Sequence, residues 1–350
     1  MKYFQYINGE LFIEGVAISK IASEIGTPFY CYSSTKIESE YKDFSDAFSK
    51  INSTICYSVK ANSNLSVIRT LSNLGAGADV VSGGELLRAL KGGVSPKKIV
   101  FSGVGKTDQE LEMAIESDIL QINAESLSEL SRLNIIAEKY NKIPKVGIRV
   151  NPDVEAGSHD KISTGRKEDK FGIDWENVRE IFVTNKNFKN IKLVGLAIHI
   201  GSQLQSLSPF DEAFKRLEKL LTTLMSENHQ IETIDLGGGL GIDYSQDLVL
   251  KISEYSKLVT KYFGNYDCNI IFEPGRRIVG NAGILIAQVI CIKPGIEKQF
   301  VVLDAAMNDL LRPSLYGAIH EIIPITNNGP KSPKVLADIC LLYTSDAADE

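Results

Sequence analysis

A few short stretches hold residue types that could do chemistry together. They are a lysine in "YSVKAN" (57–62), a carboxylate in "ADVVS" (78–82), a histidine in "AIHIGS" (197–202), a glycine run in "DLGGGLG" (235–241) and a glutamate with an arginine in "EPGR" (273–276). A lysine amine can condense with an aldehyde, a carboxylate beside a pyridine nitrogen keeps it protonated, and glycines let backbone N–H groups approach phosphate oxygens. Pyridoxal phosphate makes these three demands at once. Lys60, Glu273 and the pair Gly238 and Gly239 would meet them, with His199 stacked on the ring and Ser202 in the phosphate shell. Asp79, Gly275 and Arg276 complete the expected cofactor site. The glycine turn is expected to lead into a helix whose N-terminal dipole also favours phosphate.

Each feature has a plainer reading when taken singly. A lysine after a strand is usually a solvated charge, a histidine in an apolar run often sits hydrogen-bonded in the core, and glycines make tight turns. Their common placement argues otherwise. All of them stand at or near the end of a β-prone run: "ICYSV" (55–59), "ADVVS" (78–82), "LVGLAIH" (193–199), "IETIDL" (231–236) or "NIIFE" (269–273). Similar runs are "KIVFS" (98–102), "ILQIN" (119–123) and "KVGIRV" (145–150), with helix-like segments such as "GGELLRALKGG" and "FDEAFKRLEKLLTTLM" between the runs. About eight β/α units suffice to close a parallel barrel, whose active site lies at the strand C-termini. An open doubly wound sheet is the alternative, because periodicity alone does not show closure.

The expected organisation is a (β/α)8 barrel over residues 31–274 and a β-rich second domain from residues 1–30 plus 275–340. After Pro274 the alternation gives way to what reads as strand after strand. The polar stretch 151–174, "NPDVEAGSHDKISTGRKEDKFGID", is long for a βα loop and suggests a flap.

The 350 residues are 43% hydrophobic and 23% charged, a globular composition, with a formal net charge of −6 that disfavours nucleic-acid or anionic-membrane surfaces. The five cysteines form no C-x-x-C pair, so no zinc or disulfide framework is suggested and a reducing compartment fits. The start shows no signal-peptide pattern and no run is apolar enough to span a membrane, so a cytoplasmic location is expected. "GVGKT" (103–107) has the strand-to-helix context of a phosphate loop, but Val100 stands where its first glycine belongs. "GAGADV" (75–80) enters a strand instead of leaving one, against a dinucleotide fingerprint.

Together "YSVKAN", "GADVVSGGEL", "HIGSQ", "DLGGGLG", "EPGR" and "MNDLLRPSLYGAIH" resemble the diaminopimelate decarboxylase family, pyridoxal-phosphate lyases of the alanine racemase-like fold. The likeness runs from about "YINGELFIEGV" to Cys340. It implies decarboxylation of meso-2,6-diaminopimelate to L-lysine, the last step of lysine biosynthesis by that route, in a homodimer with sites at the subunit interface. It also implies that Lys60 carries the cofactor, and that Arg276, Arg312 and Tyr316 hold the substrate's distal carboxylate. Cys340 would be the catalytic cysteine that reaches into the partner's site. The alternatives are a decarboxylase of another basic amino acid, ornithine or arginine, and a non-catalytic pyridoxal-phosphate-binding protein.

The chain departs from the family after Cys340, where "LLYTSDAADE" replaces the family's Glu-Ser-Gly-Asp. Residues 341–350 are therefore expected to be a non-homologous tail on an incomplete β-rich domain, with exposed apolar surface and weak turnover.

Overall fold

The structure, a computed structural model, describes residues 3–154, 170–184, 187–244, 250–327 and 335–340. Most of the expected flap and all of the expected tail lie outside the described residues. The described residues divide into two compact units, one drawn from Ile37–Ile242 with Leu248–Asn281, the other from Met1–Lys36, Asp243–Asp247 and Ala282–Glu350.

The first unit is a barrel of eight parallel strands: β1 (Ser53–Ser58), β2 (Gly77–Val80), β3 (Ile99–Phe101), β4 (Gln121–Ala124), β5 (Lys145–Asn151), β6 (Lys192–Ala197), β7 (Thr233–Asp235) and β8 (Asn269–Phe272). Each pairs in parallel with its neighbours in sequence order, and β8 returns to pair with β1 through Ile270↔Ser53, Ile271↔Thr54 and Phe272↔Ile55. That closure selects the barrel over the open sheet. The strands read as β-branched runs because they are buried on both faces, one against the helices and one inside the ring.

Helices start where short polar side chains cap them. Ser82 accepts from the N–H of Glu85 at the head of helix Gly83–Lys91, and Ser126 does the same for Glu129 at the head of Leu127–Tyr140. Thr107 and Glu110 form a reciprocal capping box on helix Asp108–Glu116. The motif "GVGKT" therefore ends in a helix cap. Its lysine points inward: Lys106 is 3% exposed and donates to Gly103 O, Asn123 O and Glu129 Oε1, the last at 2.7 Å. With all three donors committed, no ammonium is left for a nucleotide phosphate.

Two expectations need correction. The stretch after Pro274 begins with a helical turn, Arg276–Val279, before the strand Gly283–Ile286, because Pro274-Gly275 breaks the extended run and Ile278 and Val279 bury on one side of the turn. The glycine turn does not lead directly into a helix; among the described residues the next one begins at Ile252. Any phosphate held there relies on backbone donors of the turn itself.

The second unit is mostly β. Phe4–Ile7, Glu10–Ile13 and Val16–Ala17 form an antiparallel sheet, and Phe29–Tyr32 pairs antiparallel with Gly283–Ile286. Leu11, Ile13, Ile18 and Ile286 make a small core there. A third sheet joins Val289–Lys293, Gln299–Leu303 and Ala337–Cys340, with Cys340 in register with Val302. Val289, Ile290 and Ile292 are exposed on its outer strand.

Candidate active site

Lys60 sits just past β1 in a 3-10 turn, Val59–Ala61, which lifts it to the barrel mouth with 46% of its side chain open. Its Nζ donates to Asp79 Oδ2 at 3.0 Å, and Ser58 Oγ donates to the same oxygen at 2.6 Å. Burial works against the Lys60 ammonium, but the carboxylates of Asp79 and Glu273 outweigh it and raise its pKa. The lysine is thus held charged and in place. The other oxygen of Asp79, Oδ1, is buried without a hydrogen-bond partner among the described residues.

Glu273 stands immediately after β8, 5% exposed, and its backbone carbonyl accepts from Ser58 Oγ at 2.9 Å. Its carboxyl lies beside that of Asp235 on β7, and the two are hydrogen-bonded. Burial first, then the neighbouring carboxylates of Asp235 and Asp79, push the Glu273 carboxyl well above its usual range. Beneath it runs a chain of amides and hydroxyls. Thr233 donates to Gln121 at 2.6 Å, Gln121 to Asn123 at 2.7 Å, Asn123 to Ser102 at 3.1 Å and Ser102 to Glu273 Oε1 at 3.3 Å. Gly147 on β5 makes room for the chain, since a Cβ there would lie 2.4 Å from Gln121 Nε2.

His199 follows β6. The N–H of Gly238 donates to its Nδ1 at 3.2 Å, so the imidazole proton belongs on Nε2. Burial, and then the positive charges of Lys60 and Arg149, hold its pKa well below 6.5. A neutral ring therefore lies beside the lysine. The positive charge of Arg149 is matched by Glu125 at 2.8 Å.

The glycine turn is packed to backbone distance. A Cβ on Gly238 would lie 2.3 Å from Glu273 O, and one on Gly239, at φ +106°, would lie 2.5 Å from Gly201 O. Gly237 N–H donates to Asp235 Oδ1 at 2.9 Å and Gly238 N–H to His199, whereas the N–H groups of Gly239 and Leu240 have no partner among the described residues. Free, adjacent backbone donors of this kind are anion sites. They line a cleft of about 250 Å³ together with Lys60, His199, Ser202, Glu273, Gly275 and Arg276. A separate cavity of about 180 Å³, by Asp118, Lys142 and Lys145, lies toward the start of β5, away from these groups.

Of the residues singled out in the sequence, the barrel thus gathers Lys60, Asp79, His199, Ser202, Gly238, Gly239, Glu273, Gly275 and Arg276 at one mouth. Arg312 and Tyr316 belong to the other unit, on helix Arg312–Tyr316, where the Arg312 guanidinium lies 5.5 Å from the Tyr316 ring and 5.2 Å from that of Tyr244. Cys340 ends the strand Ala337–Cys340. Sequence reasoning missed Ser58, Ser102, Asn123 and Asp235. The available signal for these was a single polar residue in or beside an otherwise apolar run.

An aldehyde-bearing pyridine phosphate fits these groups: an amine, the carboxyl of Glu273 and two free N–H donors share one cleft, and the buried Oδ1 of Asp79 still lacks a donor. Residues 34–280 match the family described as pyridoxal-dependent decarboxylase, pyridoxal binding domain. Diaminopimelate decarboxylase of Aquifex aeolicus is 45% identical over 96% of this chain and 80% of its own length. That of Pseudomonas fluorescens is 44% identical over 97% of this chain and 82% of its own. The crystal structure of diaminopimelate decarboxylase from Helicobacter pylori complexed with L-lysine superposes with a TM-score of 0.89 at 40% identity, covering 94% of this chain and 82% of that one. With the family match spanning the whole barrel and close relatives spanning both units, the chain belongs to the diaminopimelate decarboxylase family of pyridoxal-dependent decarboxylases.

Proposed function

We propose that this chain uses pyridoxal phosphate to decarboxylate meso-2,6-diaminopimelate to L-lysine. The observation that carries the reading is the convergence of Lys60, Glu273 and the free N–H groups of Gly239 and Leu240 on one cleft. When bound, the cofactor supplies an electron sink for the bond that breaks as carbon dioxide leaves.

The residues divide the remaining work. Lys60 Nζ is the attachment amine, held 3.0 Å from Asp79 Oδ2, and it must lose a proton before it can attack a carbonyl. Glu273 would face the ring nitrogen and favour its protonated form. His199 would cover the ring with a neutral face, adding no positive charge next to Lys60. Gly239, Leu240 and Ser202 would hold the phosphate, with Gly238, whose N–H is given to His199, shaping the turn and Gly275 and Arg276 completing the wall. Arg276 would hold the distal carboxylate, for which a planar guanidinium is well shaped. The reaction replaces a carboxylate by hydrogen at one carbon, so a proton donor is required; by family likeness it is Cys340 of a second copy in a homodimer. The cytoplasm, where thiols stay reduced, suits such a cysteine.

The test is covalent trapping and product analysis. Borohydride reduction after incubation with pyridoxal phosphate should fix the label on the peptide containing Lys60, and Lys60→Ala should take none. Carbon dioxide release should follow diaminopimelate, with L-lysine as product. Preference for ornithine or arginine, or labelling undiminished in Lys60→Ala, would overturn the reading.

A further inference from the structure

Asp235 is a buried carboxyl with no assigned role, and it is tied both to the glycine turn and to the amide chain beneath Glu273. It is 1% exposed. Its Oδ1 accepts the N–H of Gly237 at 2.9 Å, the first residue of the glycine turn, and its Oδ2 accepts Asn123 Nδ2 at 2.8 Å. Its carboxyl is also hydrogen-bonded to that of Glu273. Asn123 in turn reaches Ser102, which donates to Glu273 Oε1. Two carboxyls in hydrogen-bond contact require a proton between them, because two carboxylates so close cannot both stay ionised in a buried site.

We propose that Asp235 is a positioning residue that shares one proton with Glu273, so that the pair presents a single negative charge to the ring nitrogen of the cofactor while anchoring the turn that holds its phosphate. The inference rests on the proposed decarboxylase function, and it deepens it. A lone Glu273 beside Lys60 could ionise fully; paired with Asp235, it keeps a proton at hand. The same residue links the two ends of the cleft, since its Oδ1 accepts from the glycine turn and its Oδ2 from Asn123, which reaches Glu273 through Ser102.

The charged and titratable groups facing the pair are Asp79 on β2, Lys60 and Cys56 on or just after β1, and Tyr255 on the helix Ile252–Phe263. Asp79 opposes ionisation of the pair and Lys60 favours it. Burial is the largest influence on both carboxyls and raises both.

The test reads the proton directly, without cofactor. Isotope-edited infrared spectroscopy of the cofactor-free protein, with carboxyl-labelled aspartate or glutamate, should show a protonated, buried carboxyl persisting above the ordinary carboxylate range. Asp235→Asn keeps an acceptor for Gly237 but replaces the acid by an amide, so the titration midpoint of the remaining Glu273 should fall by about one pH unit or more. Asn123→Ala removes a donor that favours ionised Asp235, so the midpoint of the pair should rise. Opposite movements exclude a merely structural effect, and a circular dichroism spectrum like that of the wild type checks that each variant is folded. An unmoved midpoint in both folded variants, or movement in the same direction, would overturn the proposal. Failure of the wild type to bind pyridoxal phosphate would sink the proposed decarboxylase function while leaving the shared proton observable.

Discussion

The glycine turn offers the sharpest test of how the cleft holds an anion. In Gly238→Ala the new Cβ would lie 2.3 Å from Glu273 O, a backbone atom, whereas ordinary contact begins near 3.4 Å. The turn must therefore retreat by about 1 Å, enough to spoil hydrogen bonds whose N···O distances span only 2.7–3.2 Å. The next two donors along the chain, Gly239 N–H and Leu240 N–H, move with it. A hydrogen bond to a charged group contributes about 1.5–3 kcal/mol, so two of them amount to about 3–6 kcal/mol, or roughly 10²- to 10⁴-fold in affinity. Equilibrium dialysis against pyridoxal phosphate should show that loss. Pyridoxal, which lacks the phosphate, is the control: its weaker binding should change little. If both ligands lose affinity equally, the turn acts through Glu273, whose N–H donates to Gly237 O at 2.7 Å, and the anion-site reasoning is refuted.

Two further outcomes are expected. His199 is neutral in the fold with its pKa well below 6.5, so as pH falls through 6.5 the unfolded chain takes up a proton that the folded chain refuses, and stability is lost. His199→Asn removes that component; between pH 6.5 and about 5.5 the wild type should lose about 1 kcal/mol more than the variant in urea titrations, and parallel profiles would show the imidazole to be protonated in the fold. Lys106→Met leaves Glu129 buried without its ion partner and should cost about 3–5 kcal/mol, most of it recovered when Glu129→Leu is added. Adenosine triphosphate should raise the melting temperature of neither the wild type nor the double variant; a clear rise in the wild type alone would restore the nucleotide reading of "GVGKT".

Much of this architecture was legible because parallel barrel strands are buried on both faces. "KIVFS" and "NIIFE" announce themselves as β-branched runs, and the active ends lie where the runs stop. Lys60, His199 and Glu273 were readable for that reason. Asp235 and Asn123 were not: a lone polar residue in "IETIDL" or "ILQIN" reads as the solvent side of a strand, and only closure of the ring turns that side into a sealed interior. The helical turn at Arg276 was hidden because "RIVGNAGILIAQV" is equally apolar as helix or strand, and Pro274-Gly275 marks a break without fixing the type of the next element. Lys106 shows the converse error, a motif with the right local order whose side chain is committed elsewhere by its partners Glu129 and Asn123.

Closure also decides the chemistry. Lys60 stands after the first strand of the barrel and Glu273 after the last, so in an open sheet of the same strand order they would lie about 30 Å apart, given strand spacings near 4.8 Å. In the ring, Pro274 O accepts the N–H of Ser58 at 3.1 Å and Glu273 O accepts Ser58 Oγ at 2.9 Å, which makes the two chemical groups neighbours. The glycine turn after β7 is the next place along, and β7, β8 and β1 are consecutive in the ring. An amine, a buried carboxyl pair and two anion-seeking N–H groups are thus set on three adjacent strand ends whose spacing is fixed by backbone hydrogen bonds. A planar ligand that carries an aldehyde, a basic ring nitrogen and a phosphate at three separate corners can satisfy all three strand ends at once; one lacking any corner leaves a buried charge or donor unpaired, which is a physical basis for selecting this cofactor over other anions.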